Sequence, residues 1–229
     1  MAERGLFTSN LNKILLSVFF LFFLIFISTL KYRPYPLNEV IKIVPILSLA
    51  VLVLANLQGK RKIYMAAGLL FSAMGDVLLA LSGDGYFIYG LGSFAVAHCF
   101  YITAFLTGRQ KTETKHFYYI IPLLLYSVSI ACILYPGLDK MTIPVFCYLF
   151  VITVMGVTSA SAAKNFAVFI TGASLFIISD SIIAVNTFLI KVPNSSLWIM
   201  ITYYPAQLLL TLGMCLNSLN GAAKELRQE

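Results

Sequence analysis

The chain has 229 residues, of which 60% are hydrophobic and 11% charged, with a mean hydropathy of +0.90 and a formal net charge of +7. Soluble domains do not have this balance, so the composition excludes them and points to a chain solvated by lipid. The basic residues are spread over short loops instead of forming a patch, which speaks against a nucleic-acid partner.

Apolar runs long enough to cross a hydrocarbon core of roughly 30 Å recur along the sequence. They lie near 14–30, 40–57, 63–81, 87–107, 117–135, 142–160, 166–188 and 197–217. The first has a charged lead-in, Lys13, as a secretory leader would, but no small-residue cleavage pattern follows and Lys31-Tyr32-Arg33 closes the run. It reads as a retained helix. The second run opens with Lys42 and Pro45 and the sixth carries Pro144, positions near a helix start where proline is tolerated. Cys99, Cys132, Cys147 and Cys215 sit singly in apolar runs, with no CxxC spacing, and read as packing or lipid-facing residues. The expected fold is an all-α, polytopic bundle of eight transmembrane helices in a single integral membrane domain, 1–229, in a bacterial inner membrane or the endoplasmic reticulum.

Charge placement suggests an orientation. Arg4, Lys13, Lys60, Arg61, Lys62, Arg109, Lys111, Lys115, Lys164, Lys224 and Arg227 fall on one side of an eight-span path. Lys31, Arg33, Lys140 and Lys191 fall on the other, with Lys42 just inside a helix. By the positive-inside rule both termini are cytoplasmic.

Two acids interrupt the apolar runs: Asp76 in SAMGDVLLAL, 72–81, and Asp180 in FIISDSIIAV, 176–185. Each follows a glycine by eight residues, Gly68 and Gly172, and the two segments are 104 residues apart. The same offset nearly brings the first and second runs onto the fifth and sixth, as two parallel four-helix halves, 1–110 and 111–229, would require. Each aspartate lies about 14 residues into its run, on the order of 21 Å along a helix and past the bilayer midplane. An unpaired acid at such depth costs roughly 2.5 kcal/mol or more, so both should face the bundle interior or a wet cavity. Gly68, Ser72 and Gly75 line the approach to Asp76 with small residues, and Ser179 and Ala184 do so around Asp180.

Other polar residues fall on neighbouring runs: His98 and Tyr101 on the fourth, Asn186 and Thr187 just after Asp180, and Tyr203, Tyr204 and Gln207 around Pro205. Each also has a structural reading. An intramembrane aspartate can anchor two helices, a lone histidine can bond a carbonyl, and tyrosines near a helix end can belong to an interfacial belt. Asp84, in SGDGY, reads as a turn residue.

The chemistry open to this set is limited. Only His98 and His116 are present, too few for a three-histidine zinc site, so no metal is expected. No GxSxG elbow occurs for a serine nucleophile. What remains is a carboxylate pair able to divide acid and base roles, which suits cleavage of an acid-labile bond.

FSAMGDVLLALSGDGYFIYGLGSFAVAHCFYITAF, 71–105, with FIISDSIIAVNTF, 176–188, and ITYYPAQLL, 201–209, strongly resembles the YhhN-like lysoplasmalogenase family of eight-span membrane proteins. These stretches cover about a quarter of the chain and are specific in combination. The resemblance implies hydrolysis of the vinyl ether bond of lysoplasmalogens to a fatty aldehyde and glycerophosphoethanolamine or glycerophosphocholine, without a cofactor. It makes Asp76 and Asp180 the catalytic candidates, and His98, Tyr101, Asn186, Tyr203, Tyr204 and Gln207 the substrate-binding ones. The partners implied are a lysophospholipid substrate and the bilayer. Vinyl ether cleavage needs carbon protonation by one carboxyl group while the other stabilises the cation and deprotonates water. The apolar neighbours Met74, Val77 and Leu78 suggest Asp76 as the acid, and Ser179 and Ser181 suggest Asp180 as the ionised partner. The alternative function is a proton- or cation-coupled transporter using the same aspartates.

Overall fold

In the computed structural model the described residues are 6–33, 35–81, 85–107, 114–162 and 166–225. Asp84, read above as a turn residue, lies outside them, as do Arg4, Arg109, Lys111, Lys164 and Arg227. Among the described residues there is no strand, and eight helices are long and apolar enough to cross a membrane. They are α1 (Asn10–Thr29), α2 (Asn38–Asn56), α3 (Gly59–Ala80), α4 (Tyr86–Leu106), α5 (Thr114–Leu134), α6 (Thr142–Ser159), α7 (Phe166–Phe188) and α8 (Ser195–Glu225). The chain is a multi-pass integral membrane protein.

Several boundaries differ from the hydropathy reading, and two of them bear on the charged residues. Helix α3 begins at Gly59, so Lys60, Arg61 and Lys62 belong to its first turn, and α8 continues to Glu225. Hydropathy marks the part of a helix that lipid covers, whereas the backbone hydrogen-bond ladder continues into the interface. The extra turn of α3 is used: Nε and Nη2 of Arg61 each donate at 3.1 Å to the Thr107 carbonyl just beyond α4. That places a cation at the end of a helix whose terminal carbonyls lack donors.

Within helices α1 to α4, and again within α5 to α8, consecutive helices pack as hairpins. Between α2 and α3 the chain turns through Leu57 and Gln58 alone, and Gly59 has a φ of 62°, a left-handed conformation that glycine adopts without steric cost. Asn12 at the start of α1 and Asn56 at the end of α2 exchange amide hydrogen bonds of 2.9 Å, fastening that pair at one end. The most extensive contacts are α3 along α4 and α7 along α8. Both depend on a glycine. A Cβ on Gly68 would run into the Tyr101 ring of α4, and one on Gly172 would lie 3.1 Å from Leu210 and 3.2 Å from the Ala206 carbonyl of α8. The two sets of four helices are joined where α4 packs on α6 and where α2 and α1 pack on α8. At this seam Phe94, Phe176 and Tyr203 meet edge to face, with centroids 5.3–6.3 Å apart.

Large apolar side chains such as Leu24, Phe150 and Ile143 are exposed on the outer faces, as lipid-facing residues should be. The polar exceptions are inside. Ser72, Asp76, His98, Ser179, Gln207 and Thr211 are all buried.

Candidate active site

Asp76 is in the last part of α3, where Gly75 lets the Phe94 ring of α4 close over the backbone; a Cβ there would be 2.6 Å from that ring. Asp76 is 2% exposed. Lys42, early in α2, sets its Nζ 2.9 Å from Asp76 Oδ1 and donates at 3.1 Å to the Asp76 main-chain carbonyl. The Tyr203 hydroxyl of α8 donates to Oδ2 at 2.7 Å. Both carboxylate oxygens therefore accept, one from an ammonium group, an arrangement that suits the ionised form.

A chain of hydrogen bonds stands behind Tyr203. Gln207 Nε2 donates to the Tyr203 hydroxyl at 3.3 Å, the Tyr101 hydroxyl donates to Gln207 Oε1 at 2.8 Å, and Ser72 Oγ lies 3.2 Å from the Tyr101 hydroxyl. The chain fixes the Tyr203 hydroxyl against Asp76 and gives Ser72, Tyr101, Tyr203 and Gln207 partners in a buried layer between α3, α4 and α8.

Asp180 has a different environment. Its Oδ2 accepts a hydrogen bond from the Tyr148 hydroxyl of α6, and His98 Nε2 of α4 lies 3.0 Å from that hydroxyl and 3.8 Å from Oδ2. With the tyrosine proton directed at Asp180, the histidine must donate from Nε2, which leaves the buried Nδ1 without a partner. Oδ1 of Asp180 has no partner among the described residues, and the side chain is 11% exposed.

The two aspartates open onto one cavity of about 200 Å³, whose wall also includes Lys42, Tyr203, Phe94, Ser179 and Arg33. Asp180 stands at a junction. It also borders a narrower, almost wholly apolar pocket between α4, α6 and α7, lined by Leu91, Val145, Ala184 and the Phe87 and Phe188 rings, which meet edge to face at 5.4 Å. The polar space and the apolar one thus meet at a carboxyl group.

Of the residues proposed from sequence, Asp76, Asp180 and Tyr203 line the cavity. His98, Tyr101 and Gln207 lie one layer behind, holding those that do. Tyr204 and Asn186 are elsewhere. The Tyr204 hydroxyl donates to the Lys42 carbonyl at 2.8 Å, and its ring packs against Phe19, Phe23 and Phe26 of α1. Asn186 Oδ1 accepts from the Val192 amide at 3.0 Å and secures the loop after α7. His116 is at the far end of the bundle, stacked on Phe166 at 4.8 Å. Among the described residues no group of three or more His, Cys, Asp or Glu side chains is placed to hold a metal ion.

Sequence reasoning passed over three groups that the site uses: Lys42, Tyr148 and Arg33. Lys42 carried a signal, a lone cation inside an apolar run, but its position near a helix start also fits an amine snorkelling to the interface. Tyr148 is one aromatic residue among many, and nothing local to it marks it out.

The class is a multi-pass membrane protein in which five of the eight helices, α2, α3, α4, α7 and α8, line a cavity faced by two carboxyl groups, with an apolar pocket beside it. The model of the YhhN family matches residues 37–214, and the chain belongs to that family. It is 36% identical over 195 residues to human lysoplasmalogenase TMEM86A and 35% identical over 193 residues to the bovine protein, with 78% of each chain covered in both comparisons. It is 30% identical over 170 residues to a lysoplasmalogenase of Mycobacterium tuberculosis, covering 72% of this chain and 65% of that one. No solved structure matches significantly.

Proposed function

We propose that this protein is a lysoplasmalogenase, a hydrolase that cleaves the vinyl ether bond of a lysoplasmalogen to give a fatty aldehyde and a glycerophospholipid headgroup. Its membership of a family whose curated relatives carry that name supports the reaction. The observation that carries the mechanism is that two carboxyl groups with unlike partners face one cavity.

In this reading the roles are the reverse of those suggested by neighbours in sequence. Lys42, 34 residues from Asp76 in the chain, and Tyr203 together favour Asp76 as a fixed carboxylate. Asp180, with one oxygen free toward the cavity and no lysine or arginine bonded to it, is the better proton donor. Asp180 gives its proton to the β-carbon of the alkenyl ether, and the electron pair of the double bond forms the new C–H bond. The resulting oxocarbenium ion is stabilised by Asp76. Water adds to the cationic carbon and loses a proton to Asp76, giving a hemiacetal. The hemiacetal then collapses: Asp180 takes the hydroxyl proton, Asp76 protonates the departing glycerol oxygen, and the carbon–oxygen bond breaks. Both aspartates return to their starting forms, with one water consumed.

Turnover in heavy water, with the aldehyde trapped at once by reduction, tests this directly. One deuterium should appear on the carbon next to the former carbonyl. With heavy-oxygen water the released headgroup should carry no label, and label in its glycerol hydroxyl would mean that a different bond is cut. A proton- or cation-coupled transporter would leave the lipid intact. The same proposal puts both termini in the cytoplasm and the mouth of the cavity on the opposite side.

A further inference from the structure

The cavity reaches from the two aspartates to Arg33, in the connection between α1 and α2. We propose that Arg33 is the anchor of an anionic phosphodiester subsite, which sets the direction in which a single-chain glycerophospholipid enters. The assignment rests on the lysoplasmalogenase reading above and deepens it.

Charge decides the location. The inner end of the cavity carries two carboxyl groups, so an anionic headgroup is repelled from it and needs a cation elsewhere on the wall. Two basic residues line the cavity, Lys42 and Arg33. Lys42 is committed, with its ammonium 2.9 Å from Asp76 Oδ1 and 3.1 Å from the Asp76 carbonyl. Arg33 is steadied but not used up. Its guanidinium lies 5.4 Å from the centroid of the Phe26 ring, and Nη2 makes a 3.4 Å contact with Glu39 Oε1, which leaves its other N–H groups available. A planar guanidinium fixed by a ring on one side matches the geometry of phosphate oxygens. Thr187 and Ser196 bring hydroxyls to the same cavity and make no hydrogen bond among the described residues, so they can add donors.

The opposite arm of the site is the apolar pocket between α4, α6 and α7, which meets the cavity at Asp180. A lipid with its phosphodiester at Arg33 and its hydrocarbon chain directed into that pocket has its vinyl ether between the aspartates. The subsite therefore selects a single-chain lipid with one anionic phosphodiester over a neutral alkenylglycerol.

Binding and turnover test this separately, using the full chain in detergent micelles. The binding probes are a radiolabelled 1-alkyl lysophospholipid, whose saturated ether the reaction does not cleave, and the matching 1-alkylglycerol. The wild-type protein should bind the phospholipid at least about tenfold more tightly, Arg33→Gln should erase the difference, and Arg33→Lys should keep part of it. In turnover of the lysoplasmalogen, the loss in Arg33→Gln should fall on KM much more than on kcat. Retention of the full preference by Arg33→Gln overturns the subsite. If millimolar inorganic phosphate alone abolishes the preference, the site is one for free anions and the headgroup assignment is wrong. Should the wild-type protein bind with the expected preference but release no aldehyde, the hydrolase reading fails and the lysophospholipid subsite stands.

Discussion

Asp76 and Lys42 form a buried pair whose members cannot be removed one at a time without cost. Removing one partner leaves the other charged and desolvated, a loss of about 3–5 kcal/mol in soluble cores. Asp76→Asn should therefore abolish aldehyde release and also lower the thermal midpoint in detergent. The double variant Lys42→Met with Asp76→Asn should recover the midpoint while remaining inactive; a recovery of activity would mean that Asp76 does no chemistry. Asp180→Asn has no such partner to strand, because Tyr148 can donate to an amide oxygen while His98 still donates to the Tyr148 hydroxyl. It should fold normally and lose at least about 100-fold in turnover, the usual scale for a general acid. Near-normal rates in Asp180→Asn would reduce that residue to a helix anchor. At this scale the acids were legible because carboxylates are so costly in lipid that any one present demands an explanation. Lys42 was not, since what identifies it is a contact with a residue of another helix.

The helix pairs α3 with α4 and α7 with α8 are set by small residues, and Gly68 is the most informative. A methyl group there would overlap the Tyr101 ring, which is fully buried and stacked near Phe105. Moving that ring also moves the hydroxyl that holds Gln207 against Tyr203. Gly68→Ala should therefore destabilise the protein by about 1–3 kcal/mol, as overpacking typically does, and should reduce turnover although residue 68 is outside the cavity. Gly92, which has open space where its Cβ would be, is the control, and Gly92→Ala should leave the midpoint nearly unchanged. Melting curves and an aldehyde assay on both variants check this. The existence and order of the helices were readable from hydropathy alone. Their true ends were not, because α3 and α8 extend past their apolar stretches into the interface.

For the molecule as a whole, reporter domains fused after Gly59 and after Glu229 should report the cytoplasm, and one fused after Leu138 the opposite side. The reverse pattern would put the cavity mouth in the cytoplasm. The two aspartates are supported in matching ways. Asp76 on α3 takes one partner from α2 and one from α8, while Asp180 on α7 takes one from α6 and one from α4. Each is thus held by the helix before it and by the last helix of the other set of four. The partners differ in chemistry, a lysine and a tyrosine on one side and a tyrosine and a histidine on the other. No residue-by-residue alignment of the halves could have exposed them.

The short turn at Leu57 and Gln58 has a consequence for how the chain is made. During synthesis the bilayer receives α2 before α3, and α6 before α7. Lys42 is therefore already in place when Asp76 arrives on the other arm of a tight hairpin, and Tyr148 precedes Asp180 in the same way. Tyr203 comes 127 residues after Asp76 and can only complete a carboxylate already neutralised. The order of the residues thus gives each acid one partner that precedes it in the chain, on the helix immediately before its own.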